Sequence, residues 1–345
     1  MKALKLSVML LACLSGVTLW AQSAPSTALL VLAKRDQSLE IIDPATLKVV
    51  VAIPAGPDPH EVVAAADGKL AFISNYGGGA YNTITVVDLL AQKPLTRVDL
   101  GALRGPHGLA YAGGKLYFTA EVNKVIGRYD PVAQTIDWVL GTGQNRTHMI
   151  VVSKSLDHIF TSNVNSGTIS IIEKTSSPAG APQSGRVGGG GPGGSDWDET
   201  VIETGRGTEG FDVSPDGKEL WSADAQEGTV SIIDLATRKV VRTLQASLKG
   251  ANRLKFTPDG RFVLVSTLFG GGDLAVFDTS SRRELKRVKL GHGAAGILVP
   301  PQGTHAYVAC SPDDYVAVID LKTLEVVGHI DTGREPDGLA WVARQ

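Results

Sequence analysis

Short runs of β-branched and other apolar residues alternate with turn sequences along this chain, a pattern typical of β-strands. Seven of the runs end in an acidic residue, with successive spacings of 45, 42, 43, 61, 44 and 42 residues. The seven residues are Asp43, Asp88, Asp130, Glu173, Asp234, Asp278 and Asp320. A strand-based repeat of about 40–45 residues is typical of a propeller. The sequence therefore predicts an all-β fold in which distant residues become neighbours around one axis.

Each repeat contains four predicted strands separated by tight turns, which matches one blade of a β-propeller. The turn Ser214-Pro215-Asp216-Gly217 has proline where φ is fixed and glycine where φ is positive. The acidic residue after each third strand is predicted to be structural, because a short carboxylate accepts backbone N–H groups of the following turn. The repeats thus predict seven four-stranded blades.

The two chain ends are predicted to share one blade. Residues 336–341 supply an innermost strand, whereas residues 29–53 supply second, third and fourth strands without an innermost one. Joining them closes the ring and leaves no free sheet edge at the closure. The sequence therefore predicts a single seven-bladed propeller over residues 26–345.

Residues 1–23 predict an export signal. A basic start precedes an apolar run from Leu6 to Trp20, and small residues follow up to Ser23. This run is too short for a membrane span, so the predicted location is periplasmic or secreted. Lipid anchoring at Cys13 is the less favoured alternative.

A Gly-rich segment, residues 174–199, interrupts the repeat and accounts for the spacing of 61 residues. It is predicted to be a loop inserted between the third and fourth strands of the third blade. Neither a strand-to-helix context nor a Lys-Ser/Thr pair follows the glycines, which argues against phosphate binding there.

The repeats carry characteristic strand sequences, namely Phe160-Thr161-Ser162-Asn163, Phe72-Ile73-Ser74-Asn75 and Trp221-Ser222-Ala223-Asp224. These sequences and the Ser-Pro-Asp-Gly turns resemble the YVTN β-propeller repeat family. The resemblance covers the chain after the export signal and implies an exported, seven-bladed propeller similar to lactonases and surface-layer proteins. Related propellers include redox-enzyme subunits, so the resemblance indicates a fold and not one activity.

Charge and cysteine content narrow the classes of partner. Without Lys2 and Lys5 of the export signal, 31 basic and 35 acidic residues remain of the 33 and 35 in the whole chain. This acidic balance argues against binding to nucleic acid or to an anionic membrane. Cys310 would then be the single cysteine, which excludes an intrachain disulfide.

Aligning the repeats places one residue of each blade at the mouth of the central channel, just before the innermost strand. These first-ring residues are His60, His107, His148, Glu209, Asn252, Ala295 and Asp337. Three of the seven histidines of the chain share this register, in three successive blades. Adjacent imidazoles are suited to a divalent transition metal, for which His60, His107 and His148 are the predicted ligands, or to general-base catalysis.

A predicted second ring comes from the ends of the second strands: Asn75, Glu121, Asn163, Asp224, Thr267, Cys310 and Lys34. The loops before the first ring add a basic rim: Arg104, Arg146, Arg206, Lys249, His292 and Arg334. Both rings are expected to line one funnel. A basic rim around histidines and carboxylates suits a small anionic ligand.

Three functions remain open from the sequence. The first is a binding or scaffold protein whose ligand or protein partner docks at the channel face. The second is a lactonase-like hydrolase or metal-dependent enzyme, with His107 or His148 as base, Glu209 or Asp337 positioning water or metal, and Arg146 or Arg206 binding a carboxylate of the ligand. The third is an accessory subunit of a periplasmic redox enzyme.

Overall fold

The computed structural model describes residues 25–175 and 196–344, which form seven four-stranded antiparallel sheets. The predicted all-β propeller with seven blades is confirmed. The predicted export signal and Cys13 lie outside the described residues, as does most of the Gly-rich insertion. No helix in the described part of the chain is long and apolar enough to cross a membrane.

The innermost strands, which surround the channel, are β4 (Pro59–Ala64), β8 (Pro106–Ala112), β12 (Thr147–Val152), β16 (Thr208–Val213), β20 (Ala251–Phe256), β24 (Ile297–Leu298) and β28 (Pro336–Ala343). The second strands are β1 (Thr27–Ala33), β5 (Leu70–Asn75), β9 (Lys115–Ala120), β13 (His158–Asn163), β17 (Glu219–Asp224), β21 (Phe262–Thr267) and β25 (His305–Cys310).

The third strands are β2 (Ser38–Asp43), β6 (Thr83–Asp88), β10 (Val125–Asp130), β14 (Thr168–Thr175), β18 (Thr229–Asp234), β22 (Asp273–Asp278) and β26 (Tyr315–Asp320). The outer strands are β3 (Lys48–Pro54), β7 (Lys93–Asp99), β11 (Thr135–Gly141), β15 (Asp196–Glu203), β19 (Lys239–Gln245), β23 (Arg283–Lys289) and β27 (Glu325–Asp331). Short 3₁₀ turns follow three second strands, at Gly77–Gly79, Glu121–Asn123 and Ser311–Asp313.

Blades 1 to 6 each consist of four consecutive strands, starting with β4, and blade 7 combines β28 with β1–β3. Apolar residues of the second and third strands fill the space between neighbouring blades. Phe72 of blade 1, for example, packs in one buried cluster with Leu109 and Leu116 of blade 2. The outer strands alternate exposed and partly buried residues, as expected for the rim of the ring.

Both chain ends build blade 7, as the sequence predicts. β28 pairs with β1 in the register Leu29 to Trp341 and Val31 to Leu339. Val342 is buried in one apolar cluster with residues of β1, β4 and β5. Ring closure therefore depends on contacts between residues that are more than 300 positions apart.

The acidic residue after each third strand organises a turn. Asp88 Oδ1 accepts the backbone N–H groups of Leu90 and Ala91, both at 2.8 Å, and the same pattern recurs at Asp130 and Asp320. The structural role predicted for this position is confirmed in these blades. Glu173 differs, because its carboxylate lies 3.0 Å from His158 Nε2 and contacts an arginine of blade 4.

Removal of residues 336–345 is expected to open the ring. The truncated chain should lose most of the about 5–15 kcal/mol that stabilises an ordinary domain, because β1 loses its partner and the core of blade 7 becomes exposed. Thermal melting of the two proteins measures the loss, and a synthetic peptide of residues 336–345 added in trans should restore part of it. A truncated protein that melts like the full chain contradicts this closure.

Candidate functional site

A β-bulge lies at the first-ring position of the innermost strands. In blade 1, two residues of β4, His60 and Glu61, lie opposite one residue of β5, Ser74. The same shift occurs in β8, β12, β16, β20 and β28. A bulge bends its strand and re-aims a side chain. The structure thus places the sequence-predicted first-ring residues of these six blades in one common, non-ideal conformation.

Hydroxyl groups of the second strands hold the bulges and link neighbouring blades. The bulged N–H of Gly108 donates to Thr119 Oγ1 at 2.9 Å, and that hydroxyl donates to the carbonyl of His148 in the next blade at 2.8 Å. Ser162 likewise donates to the carbonyl of Glu209 at 2.7 Å. These bonds satisfy backbone groups that the bulge removes from the ladder, so they fix the spacing of successive ring residues.

His60 lies between two carboxylates. Its Nε2 is 3.3 Å from Asp58 Oδ2 and its Nδ1 is 3.3 Å from Asp337 Oδ2. Burial opposes protonation, but the hydrogen bonds to Asp337 and Asp58 outweigh it and raise the pKa of His60 to about 8. Lys34 Nζ donates to the same Asp337 oxygen at 3.3 Å. His60 is therefore predominantly a cation at neutral pH.

His148, which is 1% exposed, lies between Glu121 and Glu209. Its Nδ1 contacts Glu121 Oε1, and its Nε2 is 3.0 Å from Glu209 Oε1 without hydrogen-bond geometry. Burial disfavours the imidazolium, yet the charges of Glu209 and Glu121 raise the pKa of His148. Tyr76 donates its hydroxyl to Glu121 Oε2 at 2.6 Å, and Arg146 Nε is 3.6 Å from that oxygen.

His107 lies between the other two imidazoles. The centre of its ring is 5.1 Å from that of His60 and 3.8 Å from that of His148. Its Nδ1 is buried and has no hydrogen-bond partner in the described part of the protein. Burial, followed by the charges of His148 and His60, holds the pKa of His107 well below its usual range. Because buried polar atoms rarely lack partners, this nitrogen is a candidate to bind a ligand.

An ion pair spans the channel next to the first ring. Arg253 of blade 5 contacts the Glu61 carboxylate of blade 1 through its guanidinium, although these two blades are not neighbours. Arg253 is 6% exposed, and its guanidinium also donates to the carbonyl of Asn252 at 3.2 Å. Asn252, a predicted ligand residue, thus supports Arg253. The sequence analysis missed this arginine because it follows the ring position by one residue.

The predicted second ring combines two different registers. Asn75 and Ala120 end equivalent strands, because each pairs with the first residue of the third strand. Glu121 lies one residue further along, at the position of Tyr76 in blade 1 and of Lys34 in blade 7. Side chains at this later position contact the histidine cluster or Asp337. A single register for the second ring is therefore wrong.

Two adjacent aromatic residues in β9 explain the shift. The strand pairing makes Tyr117 equivalent to Phe72, whereas a second ring that contains Glu121 requires Phe118 at that position. Phe118 instead fills the space opposite Gly127, where an added Cβ would lie 2.2 Å from the phenyl ring. A one-residue shift moves a side chain to the other face of a strand. Correct pairing of Tyr117 is the signal that would have revealed Tyr76 as a site residue.

Three predicted ligand residues lie inside their own blades: Asn75, Asn163 and Asp224. Each is fully buried and hydrogen-bonds hydroxyl side chains of the adjacent third strand, as Asp224 does with Ser231 at 2.8 Å. Cys310 shares this register, and burial raises the pKa of its thiol to about 11. These side chains support the blades, and the structure does not bring them to the histidines.

The basic rim is largely neutralised by neighbouring carboxylates. Arg206 Nε lies 3.0 Å from Glu227 Oε1, and Arg334 lies 2.6 Å from Asp36 Oδ1. Arg146 is the rim residue that reaches the cluster, at 3.6 Å from Glu121 and 3.9 Å from Glu209. Of the two rim arginines predicted to bind the ligand, the structure therefore places Arg146 in the site and Arg206 outside it.

The chain matches no protein-family model and no curated protein, so the YVTN resemblance stays a prediction. Its fold is similar to that of the "putative 6-phosphogluconolactonase" from Bacteroides uniformis ATCC 8492. The TM-score is 0.72 at 15% identity, and the match covers 92% of this chain and 99% of that one.

Two further solved structures are similar. Hydrazine synthase of Kuenenia stuttgartiensis matches with a TM-score of 0.65 and 19% identity, over 82% of this chain and 89% of that one. Dihydro-heme d1 dehydrogenase NirN in complex with DHE matches with a TM-score of 0.61 and 16% identity, over 90% of this chain and 64% of that one. At such identities the similarity shows the propeller fold alone.

Asp224 allows a test of whether the side chains at the ends of the second strands lie buried inside their blades. Burial raises its pKa to about 6 despite hydrogen bonds from Ser231 and Thr229. A raised carboxyl pKa leaves stability intact at pH 4 and destabilises the native state as pH rises toward 6, since the unfolded chain ionises first. Asparagine occupies this position in blades 1 and 3.

Asp224→Asn is therefore expected to gain about 2–3 kcal/mol relative to wild type between pH 4 and pH 8. Melting curves of both proteins at the two pH values measure this gain. An equal difference in stability at pH 4 and pH 8 contradicts the buried position assigned to the carboxyl group.

Proposed function

We propose that this chain is an exported binding protein whose channel mouth holds a cationic ligand. The observation that carries the proposal is an excess of carboxylates around the three histidines. Five carboxylates stand against three permanent cations in this network of ion pairs, an excess of two negative charges. The carboxylates are Asp58, Glu61, Glu121, Glu209 and Asp337, and the cations are Lys34, Arg146 and Arg253.

Buried charge of one sign is costly unless it is balanced. In the free protein, a proton on His60 supplies part of the balance, and the carboxylates on either side of His148 favour a proton there as well. A cationic ligand can supply the same balance and use the free nitrogen of His107 as well. The anion expected from the sequence is less well supported, since most rim cations are already paired.

Binding is favoured over hydrolysis because most acid and base groups of the site are already engaged. Both nitrogens of His60 and of His148 face carboxylates within 3.3 Å. His107 alone combines a neutral imidazole with an unpaired nitrogen, so it is the candidate base of the second possible function, a lactonase-like hydrolase. The fold shared with the Bacteroides uniformis protein is compatible with either function.

Thermal stability in the presence of small ions tests the proposal. Among divalent metal ions, polyamines, quaternary ammonium ions and aldonic acids, at least one cation should raise the melting temperature, because ligands that bind the native state stabilise it. Glu209→Gln removes one charge of the site and should reduce this rise. Glu173→Gln, whose carboxylate also lies 3.0 Å from a histidine but in the opposite half of its blade, is the matched control and should leave the rise unchanged.

Two outcomes contradict a cation-binding role. One is stabilisation by the anions alone. The other is hydrolysis of aldonic lactones by chelator-treated wild type that disappears in His107→Gln, which would make His107 a catalytic base that needs no cation.

A further inference from the structure

We infer that the cationic ligand is a divalent transition-metal ion bound by His107, Glu121 and His148, an inference that rests on the proposed function. Each of these residues offers one ligand atom, and the three atoms lie within 4.8 Å of one another. All three side chains are buried and come from neighbouring blades 2 and 3. The two neighbouring bulges, with Thr119 between them, therefore bring the donors together.

The separation of these atoms is close to what one ion requires. Zinc and similar ions lie about 2.0–2.2 Å from nitrogen and oxygen ligands and prefer tetrahedral geometry, so two ligand atoms of one ion are about 3.3–3.6 Å apart. Side-chain rotations that bring the three donors together and open the direct contact between Glu121 and His148 would admit the ion.

The donor types select the class of ion. Two imidazoles and one carboxylate favour zinc, iron, cobalt, nickel or manganese over magnesium and calcium, which prefer oxygen ligands. The unpaired, buried Nδ1 of His107 is explained by this assignment, because a metal bond would satisfy it. A hydrogen-bonded water could satisfy it too, but would not need the converging carboxylate and second imidazole.

The surrounding groups have the arrangement that metal ligands commonly require. Glu209 Oε1 lies 3.0 Å from Nε2 of His148, and a rotation of the ring would turn this contact into the hydrogen bond by which a carboxylate orients a ligand histidine. Tyr76 donates its hydroxyl to the second oxygen of Glu121 at 2.6 Å, which leaves Oε1 for the ion. These contacts distinguish the set from a chance cluster of polar residues.

His60 is excluded from the ligand set, although the sequence predicts it as the third histidine ligand. His60 does not belong to the group of donor atoms that lie within 4.8 Å of one another, and its two nitrogens face Asp58 and Asp337 instead. Its ring centre is also 5.1 Å from that of His107, further than the 3.8 Å between His107 and His148. Replacement of His107 should therefore remove a metal ligand, whereas replacement of His60 should not.

The test uses the mature protein, stripped with a chelator and titrated with Co²⁺ while its visible absorption is recorded. Wild type should bind one equivalent. His107→Gln and Glu121→Gln should each weaken binding at least about 100-fold, and Glu209→Gln about 10–100-fold. His60→Gln removes a neighbouring positive charge but no ligand, so it should change the affinity far less than His107→Gln does. His158→Gln, far from the channel mouth, should bind Co²⁺ like wild type and is the control for general effects of histidine loss.

Absence of Co²⁺ and Zn²⁺ binding to wild type at millimolar concentration overturns the inference. So does a loss in His60→Gln as large as that in His107→Gln. Should His107→Gln fail to fold, Glu121→Gln decides the outcome. If no metal binds but a polyamine or quaternary ammonium ion raises the melting temperature, the metal assignment fails while the proposed cation-binding function stands.

Discussion

The β-bulge in the innermost strands is the constraint on which the channel mouth depends. It removes one residue of the strand from the regular ladder, and in blades 1, 2, 3 and 5 a serine or threonine of the second strand receives the freed N–H group. In blades 2, 3 and 5 the same hydroxyl bonds to the ring residue of the next blade. These bonds couple successive ring positions, and in blade 2 Thr119 links the bulge at His107 to His148.

Closure of the ring brings charged side chains of different blades together at the channel mouth. Carboxylates from blades 1, 2, 4 and 7 are held at one mouth, and Arg253 of blade 5 crosses the channel to meet Glu61. Like charges at such a site repel one another, so the covalent and sheet contacts that complete blade 7 must hold them together. The closed ring thus holds five carboxylates in one network around the histidines, and the permanent cations Lys34, Arg146 and Arg253 balance three of them.

Regular features of the fold were predictable, and local departures from the repeat were not. The period of the β-branched runs predicts the blades, and the alignment of the repeats predicts the common register of His60, His107 and His148. Glu121 was found, but at the wrong equivalent position, because Tyr117 and Phe118 offer two alignments of one strand. Arg253 and the pairs that neutralise the rim depend on long side chains that meet across blades, and no periodicity in the sequence records such contacts.

The proposed site depends on an uncharged, unpaired imidazole, His107, that lies between two imidazoles facing carboxylates. Nitrogen-15 NMR of the histidine rings in the metal-free protein tests it most directly, with His60→Gln and His107→Gln used to assign the signals. The account predicts that His107 stays neutral from pH 6 to pH 9, whereas His60 loses its proton near pH 8. A His107 ring that titrates near its ordinary pKa of about 6.5, together with a neutral His60 at pH 7, would contradict the account.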